Sequence, residues 1–353
     1  MLPWLGDRFG NPSSSHAAGR RLREAIEGAR AQVAVLLGAQ PDEIVFTSGG
    51  TEGCNHVIKG VAHALASRGR HIITSAIEHP AVLNPCQYLE TLGYEVSYVG
   101  VDSTGRVDPQ EIAGEVRPTT VLIAIMHANN EVGTIQPIAE IAEIAREGGV
   151  LMYTDAAQSC GKIETRVDEL GVDFLSIAAH KFYGPQGVGA VYIRKGANVE
   201  PLLHGAKHQG GRRGGTEPVA LIVGLGAAAA AAQEHLGDQR LIQLRDRLYD
   251  GLTRSLGDRV ALLGHPTDRL PNTLCASFRG KIGGEVLAAC PDVCASTGAA
   301  CHSGKAERSA TLAAMDVPED VAFGAIRFSV GRFTTEVEVD KAAQQIAAAM
   351  ARI

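Results

Sequence analysis

Through its first two-thirds the chain alternates short apolar runs with longer stretches whose apolar residues recur every three or four positions. Ile44-Val45-Phe46, His71–Ser75, Val121–Met126, Val150–Thr154, Phe174–Ala178 and Ala190–Ile193 have the length and continuity of buried strands. Helical stretches lie between them. Gly19–Leu37 carries Leu22, Ile26, Ala29, Val33 and Leu36 on one stripe, and Gly38 ends it. A Gly-rich turn after Phe46 opens a helix through Ala66, and Ile138–Arg146 is another. Strands alternating with helices need crossover connections. The expected fold class is therefore α/β, a mostly parallel sheet covered on both faces.

Past an alanine-rich helix the pattern changes. Leu241–Leu256 is amphipathic, Val260–Leu263, Thr273–Phe278 and Ile326–Ser329 form shorter strands, and Val337–Met350 makes a terminal helix. This predicts a large domain over residues 1–236 and a smaller α+β domain over 237–353. No internal repeat or long linker interrupts either.

Composition excludes several function classes. The net charge of −6 over 353 residues leaves no basic footprint for nucleic acid or an anionic membrane. The longest apolar stretch, Leu221–Ala232, is mostly Gly and Ala and too short to span a bilayer. Met1–Gly6 lacks the basic start and leucine-rich core of a signal peptide. Seven scattered cysteines, an odd number in a chain long enough to need no staples, fit a reducing, cytoplasmic setting.

Three constellations fall at strand ends. In Ser48-Gly49-Gly50-Thr51, a glycine turn opens a helix, where backbone N–H groups and the helix dipole favour an anion and Thr51 adds a hydroxyl. Alone, the pattern better describes a capped helix start. Asp155, in Asp155-Ala156-Ala157-Gln158, stands at the carboxyl end of a strand, where α/β sheets bind ligands; alone it also fits an N-cap. His180-Lys181 ends the next strand, and a lysine there can be desolvated and made nucleophilic, though most lysines are simply solvated. Together they supply a phosphate cradle, an acid for a pyridinium nitrogen and a Schiff-base lysine, the fixed points of a pyridoxal-phosphate (PLP) site.

A fourth feature is Cys301, within Ser296-Thr297-Gly298-Ala299-Ala300-Cys301-His302-Ser303, where small neighbours suit an accessible nucleophilic thiol. Cys275 is expected in the core, and Cys54 and Cys86 are expected to serve packing. Cys160 has no evident role. Cys290 and Cys294 lie near Cys301, but the spacing fits no common zinc pattern, and no metal is expected.

The chain resembles the cysteine desulfurases and the related selenocysteine lyases, within the fold-type-I PLP enzymes. The resemblance covers nearly all of it and rests on ordered stretches. They are Phe9-Gly10-Asn11-Pro12-Ser13-Ser14, Phe46-Thr47-Ser48-Gly49-Gly50-Thr51-Glu52, Asn129-Asn130-Glu131-Val132-Gly133, Asp155-Ala156-Ala157-Gln158, His180-Lys181-Phe182-Tyr183-Gly184-Pro185, Ala300-Cys301 and Arg327-Phe328-Ser329-Val330-Gly331-Arg332. It implies a seven-stranded, mostly parallel sheet in the large domain and a small domain carrying the cysteine loop. It implies that Lys181 carries PLP and later shuttles the α-proton, Asp155 keeps the pyridine nitrogen protonated, and Gln158 hydrogen-bonds the phenolic oxygen. His79 would stack on the ring and act as acid or base. Gly50, Thr51 and His180 would bind the phosphate, and Thr216 would reach the phosphate of a second copy in a homodimer. Asn130 and Arg327 would fix the substrate, and Cys301 would take its sulfur as a persulfide. L-cysteine, or L-selenocysteine, is then the substrate, and a sulfur-acceptor protein such as an iron–sulfur scaffold the partner.

The chain also departs from that pattern. It begins at Met1-Leu2-Pro3-Trp4, after the family's usual opening strand, which keeps a non-catalytic partner as an alternative. Ala178 replaces a phosphate-binding serine, Cys54 replaces an asparagine, and Gly205-Ala206-Lys207 replaces a glycine triplet. His302 after Cys301 is the selenocysteine-lyase-like form. An aminotransferase is disfavoured by Cys301.

Overall fold

The computed structural model describes residues 1–297, 301–302, 305–306 and 308–352, with backbone alone at 301–302 and 305–306. The chain divides into two compact units. The first takes Met1–Val99, Pro109–His127 and Pro137–Leu236, and the second takes Gly100–Asp108, Ala128–Gln136 and Gly237–Ile353.

The first unit is built on a seven-stranded sheet of β1 (Ile44–Thr47), β2 (His71–Ser75), β3 (Glu95–Val99), β4 (Thr120–Ala124), β5 (Leu151–Asp155), β6 (Phe174–Ala178) and β7 (Gly189–Ile193). The order is β1-β7-β6-β5-β4-β2-β3. The run from β3 through β6 is parallel, while β7 is antiparallel to both β6 and β1. Consequently β1 points the same way as β6. The carboxyl ends of β1, β2, β4, β5 and β6 all meet one edge, where open α/β sheets bind ligands.

Helices α1 (Leu2–Leu5), α2 (Ala17–Leu37), α3 (Gly50–Ala64), α4 (Pro80–Glu90), α5 (Pro109–Glu115), α6 (Ile138–Glu147), α7 (Val167–Leu170) and α8 (Val219–Gln233) complete this unit. The expected stripe of α2 is buried, and Gly38 ends the helix at φ 64°. Strands β2, β4 and β6 are buried at every residue, as strands covered on both faces must be. Strand β3 was not anticipated. It is an edge strand with Glu95 and Tyr98 exposed, so it lacks the continuous apolar run that marks its neighbours.

The second unit contains α9 (Gln239–Leu256), β8 (Val260–Leu263), β9 (Thr273–Phe278), α10 (Gly283–Ala288), β10 (Ser296–Thr297), β11 (Cys301–His302) and β12 (Lys305–Ala306). It continues with α11 (Ala310–Ala314), α12 (Glu319–Ala322), β13 (Ala325–Ser329) and α13 (Glu336–Arg352). An antiparallel sheet runs β10-β13-β9-β8, and β11 pairs with β12 separately. Its core joins Leu244, Leu248, Leu252 and Leu256 of α9 to Val339, Ala343 and Ile346 of α13 and to Phe278 and Phe328 of the sheet. The two phenylalanine rings meet edge to face at 6.4 Å.

Candidate active site

The anion cradle begins where β1 turns into α3. Gly49, the N-cap of α3, has φ 152° and ψ −176°, a combination reserved almost wholly for glycine. Thr47 Oγ1 donates to Gly49 O (2.9 Å), which folds the turn back on itself. With glycine at the N-cap, no cap side chain accepts from the first turn of α3, where amides otherwise suit an anion. Neighbouring strands press close: a Cβ on Gly189 would lie 2.4 Å from Ile177 O and 2.9 Å from Gly49 Cα. A Cβ on Gly50 would stand 3.5 Å from that of Ala178, so Ala178 forms the cradle's wall in place of a hydroxyl.

Glu52, one residue past Thr51, was not singled out in the sequence, yet it ties the cradle together. Its carboxylate accepts from Ser48 N (2.8 Å) and from Arg213 Nε (2.9 Å) and Nη2 (3.2 Å). Burial pushes this carboxyl up, but the Arg213 and Ser48 bonds outweigh it and hold it below its ordinary value. Arg213 opens the segment ending at Thr216, which is exposed. The signal available in the sequence was an acid four residues from Ser48 on a helix start, which alone only suggests a dipole-stabilised cap.

Asp155 is the last residue of β5 and only 8% exposed. Its Oδ1 accepts from Ala157 N (2.9 Å), and its backbone carbonyl accepts from His127 N (2.9 Å). Burial raises its pKa; the Ala157 amide, His79, the Cys54 thiol and Lys181 each pull it down without cancelling burial. A buried carboxyl in this state is stabilised as an anion by a further cation, such as a protonated ring nitrogen.

Beside Asp155 lies a polar chain that includes Cys54, a residue expected only to serve packing. Cys54 Sγ donates to Asp155 Oδ2 (3.7 Å) and contacts Ser176 Oγ (3.8 Å), which meets Tyr153 OH at 2.6 Å. Cys54 therefore does more than fill space. Its place four residues after Gly50 on α3 turns it inward, toward β5 and β6. Burial and the Asp155 charge push its thiol well above the ordinary value, so it acts as a donor.

His79 is exposed and caps α4; its Nδ1 accepts from Ala81 N (3.0 Å). A neutral ring in that role carries its proton on Nε2. Glu78 beside it is buried, with Oε1 accepting from Ser75 Oγ (2.6 Å) and Met126 N (2.9 Å). Gln158 is half-buried in the turn after β5. His180 and Lys181 lie in the 3₁₀ turn after β6 and are both exposed. Partial burial and the neighbouring Lys181 charge lower the His180 pKa.

The first unit thus brings Gly50, Thr51, His79, Asp155, Gln158, His180 and Lys181 to the carboxyl edge of one sheet. These residues fit PLP. The uncapped glycine cradle suits a phosphate, the buried carboxyl suits a ring cation, and an exposed lysine stands within the field of that carboxyl. No group of three or more metal-ligating side chains occurs among the described residues, and no described helix is long and apolar enough to cross a membrane.

Asn130 and Arg327 belong to the second unit. Arg327, on β13, donates from Nη1 to Asn130 O (2.7 Å), and both are half-buried. The side chain of Cys301 lies outside the described residues.

The chain matches the class-V aminotransferase family model over residues 1–342. It is 49% identical over 344 residues to the cysteine desulfurase IscS of Dictyoglomus turgidum, covering 96% of this chain and 87% of that one. It is 44% identical over 357 residues to IscS of Pseudomonas aeruginosa, covering 99% and 87%. Among solved structures, a NifS-like protein superposes with a TM-score of 0.93 at 39% identity, over 100% of this chain and 94% of that one. SspA in complex with cysteine superposes with a TM-score of 0.83 at 36% identity, over 94% of each chain.

Proposed function

We propose, from the premise that this chain belongs to the class-V aminotransferase family and within it stands with the cysteine desulfurases, that it converts L-cysteine to L-alanine and leaves the sulfur as a persulfide on Cys301. The observation that supports this most directly is the meeting of the α3 amides, Asp155 and Lys181 at one sheet edge.

When bound there, PLP supplies an electron sink that stabilises the carbanion left after the α-proton departs. The protein's part is binding, orientation and proton handling. The α3 amides, Thr51 and His180 hold the phosphate, with Thr216 serving a second copy in a homodimer. The Asp155 carboxylate holds the proton on the ring nitrogen, which keeps the ring electron-poor. Gln158 hydrogen-bonds the phenolic oxygen. His79, its Nδ1 committed to Ala81 N, presents Nε2–H and its ring face. Lys181 Nζ would hold the cofactor and, as a free amine, would take the α-proton and return it.

Arg327 grips the substrate carboxylate as a fork, and Asn130 helps orient the substrate. The Cys301 thiolate then attacks the substrate sulfur. The new S–S bond forms as the C–S bond breaks, and its electrons pass to the carbon fragment, which takes up protons and leaves as alanine. The sulfane sulfur passes to an acceptor thiol, as an iron–sulfur scaffold would provide. Every cysteine whose side chain is described is free, in keeping with a reducing cytoplasm.

PLP-loaded protein is incubated with L-cysteine or L-selenocysteine, and alanine is quantified beside Cys301→Ala. Alanine from cysteine that disappears in the variant supports the reading. Alanine chiefly from selenocysteine favours a selenocysteine lyase, to which His302 after Cys301 also points. Alanine from neither refutes both.

A further inference from the structure

Strands β5 and β6 run side by side with Asp155 opposite Ser176 and Tyr153 opposite Phe174. Side chains alternate between the faces of a strand, so Tyr153, Asp155 and Ser176 stand on one face of the sheet. Helix α3 covers that face closely: a Cβ on Gly53 would lie 3.0 Å from Ser176 Cβ and 3.0 Å from Val191 Cγ2. The glycine lets the next residue, Cys54, bring its thiol to both Asp155 Oδ2 (3.7 Å) and Ser176 Oγ (3.8 Å). Tyr153 OH meets Ser176 Oγ at 2.6 Å, and Tyr153, Ser176 and Cys54 are all sealed from solvent. All four residues lie in the first unit.

The direction of this chain is fixed from one end. An ionised carboxylate only accepts, so the single thiol proton of Cys54 goes to Asp155 Oδ2. Sγ is then left to accept from the Ser176 hydroxyl, whose oxygen accepts from Tyr153. Three dipoles therefore point at one carboxylate oxygen, while the Ala157 amide serves the other. Bonds joined in this way polarise one another. Three buried polar groups could satisfy one another merely to fill the core. A filler has no need to end on a charge. This chain ends on Asp155, whose anion His79 and Lys181 also favour and a charged Glu78 would oppose.

A donor on Oδ2 lowers the pull of the carboxylate on a proton it shares, so that proton rests on the other partner. We propose, on the reading that PLP occupies this site, that Tyr153, Ser176 and Cys54 are positioning residues that act through Asp155 to keep the ring nitrogen protonated.

The test uses the full-length protein, wild type beside Cys54→Ala, Cys54→Ser, Tyr153→Phe and the double variant of Cys54→Ala with Tyr153→Phe. Two quantities are read without turnover: the PLP dissociation constant from fluorescence titration of the apoprotein, and the chemical shift of isotope-labelled ring nitrogen in bound PLP. Cys54→Ala is expected to weaken binding about threefold to tenfold and to move the shift toward that of unprotonated pyridine. Tyr153→Phe is expected to weaken binding about twofold and move the shift the same way, and to do neither once Cys54 is alanine. Cys54→Ser keeps a donor and is expected to stay near wild type. A role in packing alone would leave the ring-nitrogen shift unmoved. An unmoved shift in Cys54→Ala or Tyr153→Phe, equal effects of Tyr153→Phe in both backgrounds, or failure of serine to rescue would overturn the proposal. If the wild type binds PLP yet makes no alanine from L-cysteine, the desulfurase reading fails alone and the two readouts still decide. If the wild type binds no PLP, the cofactor reading fails by itself. The infrared S–H stretch of Cys54 in the apoprotein, isolated by subtracting the Cys54→Ala spectrum, then decides the chain: the frequency of an unbonded thiol rejects it, and a lowered frequency that rises in Tyr153→Phe upholds it.

Discussion

Glu78 is only 5% exposed, and its Oε2 is buried with no hydrogen-bond partner among the described residues. Burial pushes its carboxyl from 4.5 up to about 8; the Ser75 and Met126 bonds oppose this, and the nearby Asp155 charge adds to it. The native state therefore holds a proton that the unfolded chain releases. Below pH 4.5 both states are protonated and the group carries no penalty. As pH rises from 4.5 toward 8, folding must retain that proton at about 1.4 kcal/mol per unit, and above 8 the cost levels off. The penalty is about 3 kcal/mol at pH 7 and approaches about 5 kcal/mol at higher pH. Glu78→Gln removes the titration. Its amide nitrogen takes the place of Oε2 with no partner, a pH-independent cost of about 1–3 kcal/mol. The absolute effect at one pH is thus a difference of similar terms, and the slope is the diagnostic. Equilibrium urea unfolding of the two apoproteins, followed by circular dichroism from pH 5 to pH 8, is expected to favour the variant progressively, by about 3–4 kcal/mol over that range. A difference that stays flat to within about 0.5 kcal/mol would refute the assignment of a neutral, buried Glu78.

Four further outcomes follow from the structure. Glu52→Ala leaves the Arg213 guanidinium, 17% exposed, without its bidentate partner; it is expected to cost about 3 kcal/mol in urea unfolding and to weaken PLP binding in a fluorescence titration. Gly189→Ala drives a Cβ against Ile177 O and Gly49 Cα and is expected to destabilise strongly and lower PLP affinity. Gly28→Ala, in α2 with nothing within 4 Å of the new Cβ, is expected to stabilise by about 0.5–1 kcal/mol. Cys54→Ala removes a donor to Asp155 Oδ2 and is expected to weaken PLP affinity about threefold to tenfold, whereas Cys54→Ser retains a hydroxyl donor and stays closer to wild type.

Much of the site could be read in the chain because its parts sit at strand ends, and strands buried on both faces announce themselves as continuous apolar runs. β6 is such a run, and Lys181 follows it by three residues; β5 places Asp155 in the same way. Gly49 and Gly50 were visible only as a helix start, and it was their company with Asp155 and Lys181 that marked them as a candidate phosphate cradle.

What the linear order could not carry is which side chains from distant elements meet. Cys54 and Asp155 are 101 positions apart, Glu52 and Arg213 are 161, and Glu131 and Ser309 are 178. An acid, a thiol or a hydroxyl looks the same in sequence whether it meets solvent or a partner across the fold. The edge strand β3 was hidden for a related reason, since one partner strand and partial exposure leave its residues free to be polar. The sequence by itself determined the sheet class and most of the buried strands, because those depend on periodicity and local backbone preference. Only the tertiary structure decided that Cys54 meets Asp155, that Glu78 is sealed from water, and that Glu131 accepts from Ser309 and Thr311, because burial and long-range pairing exist only once the chain has closed on itself.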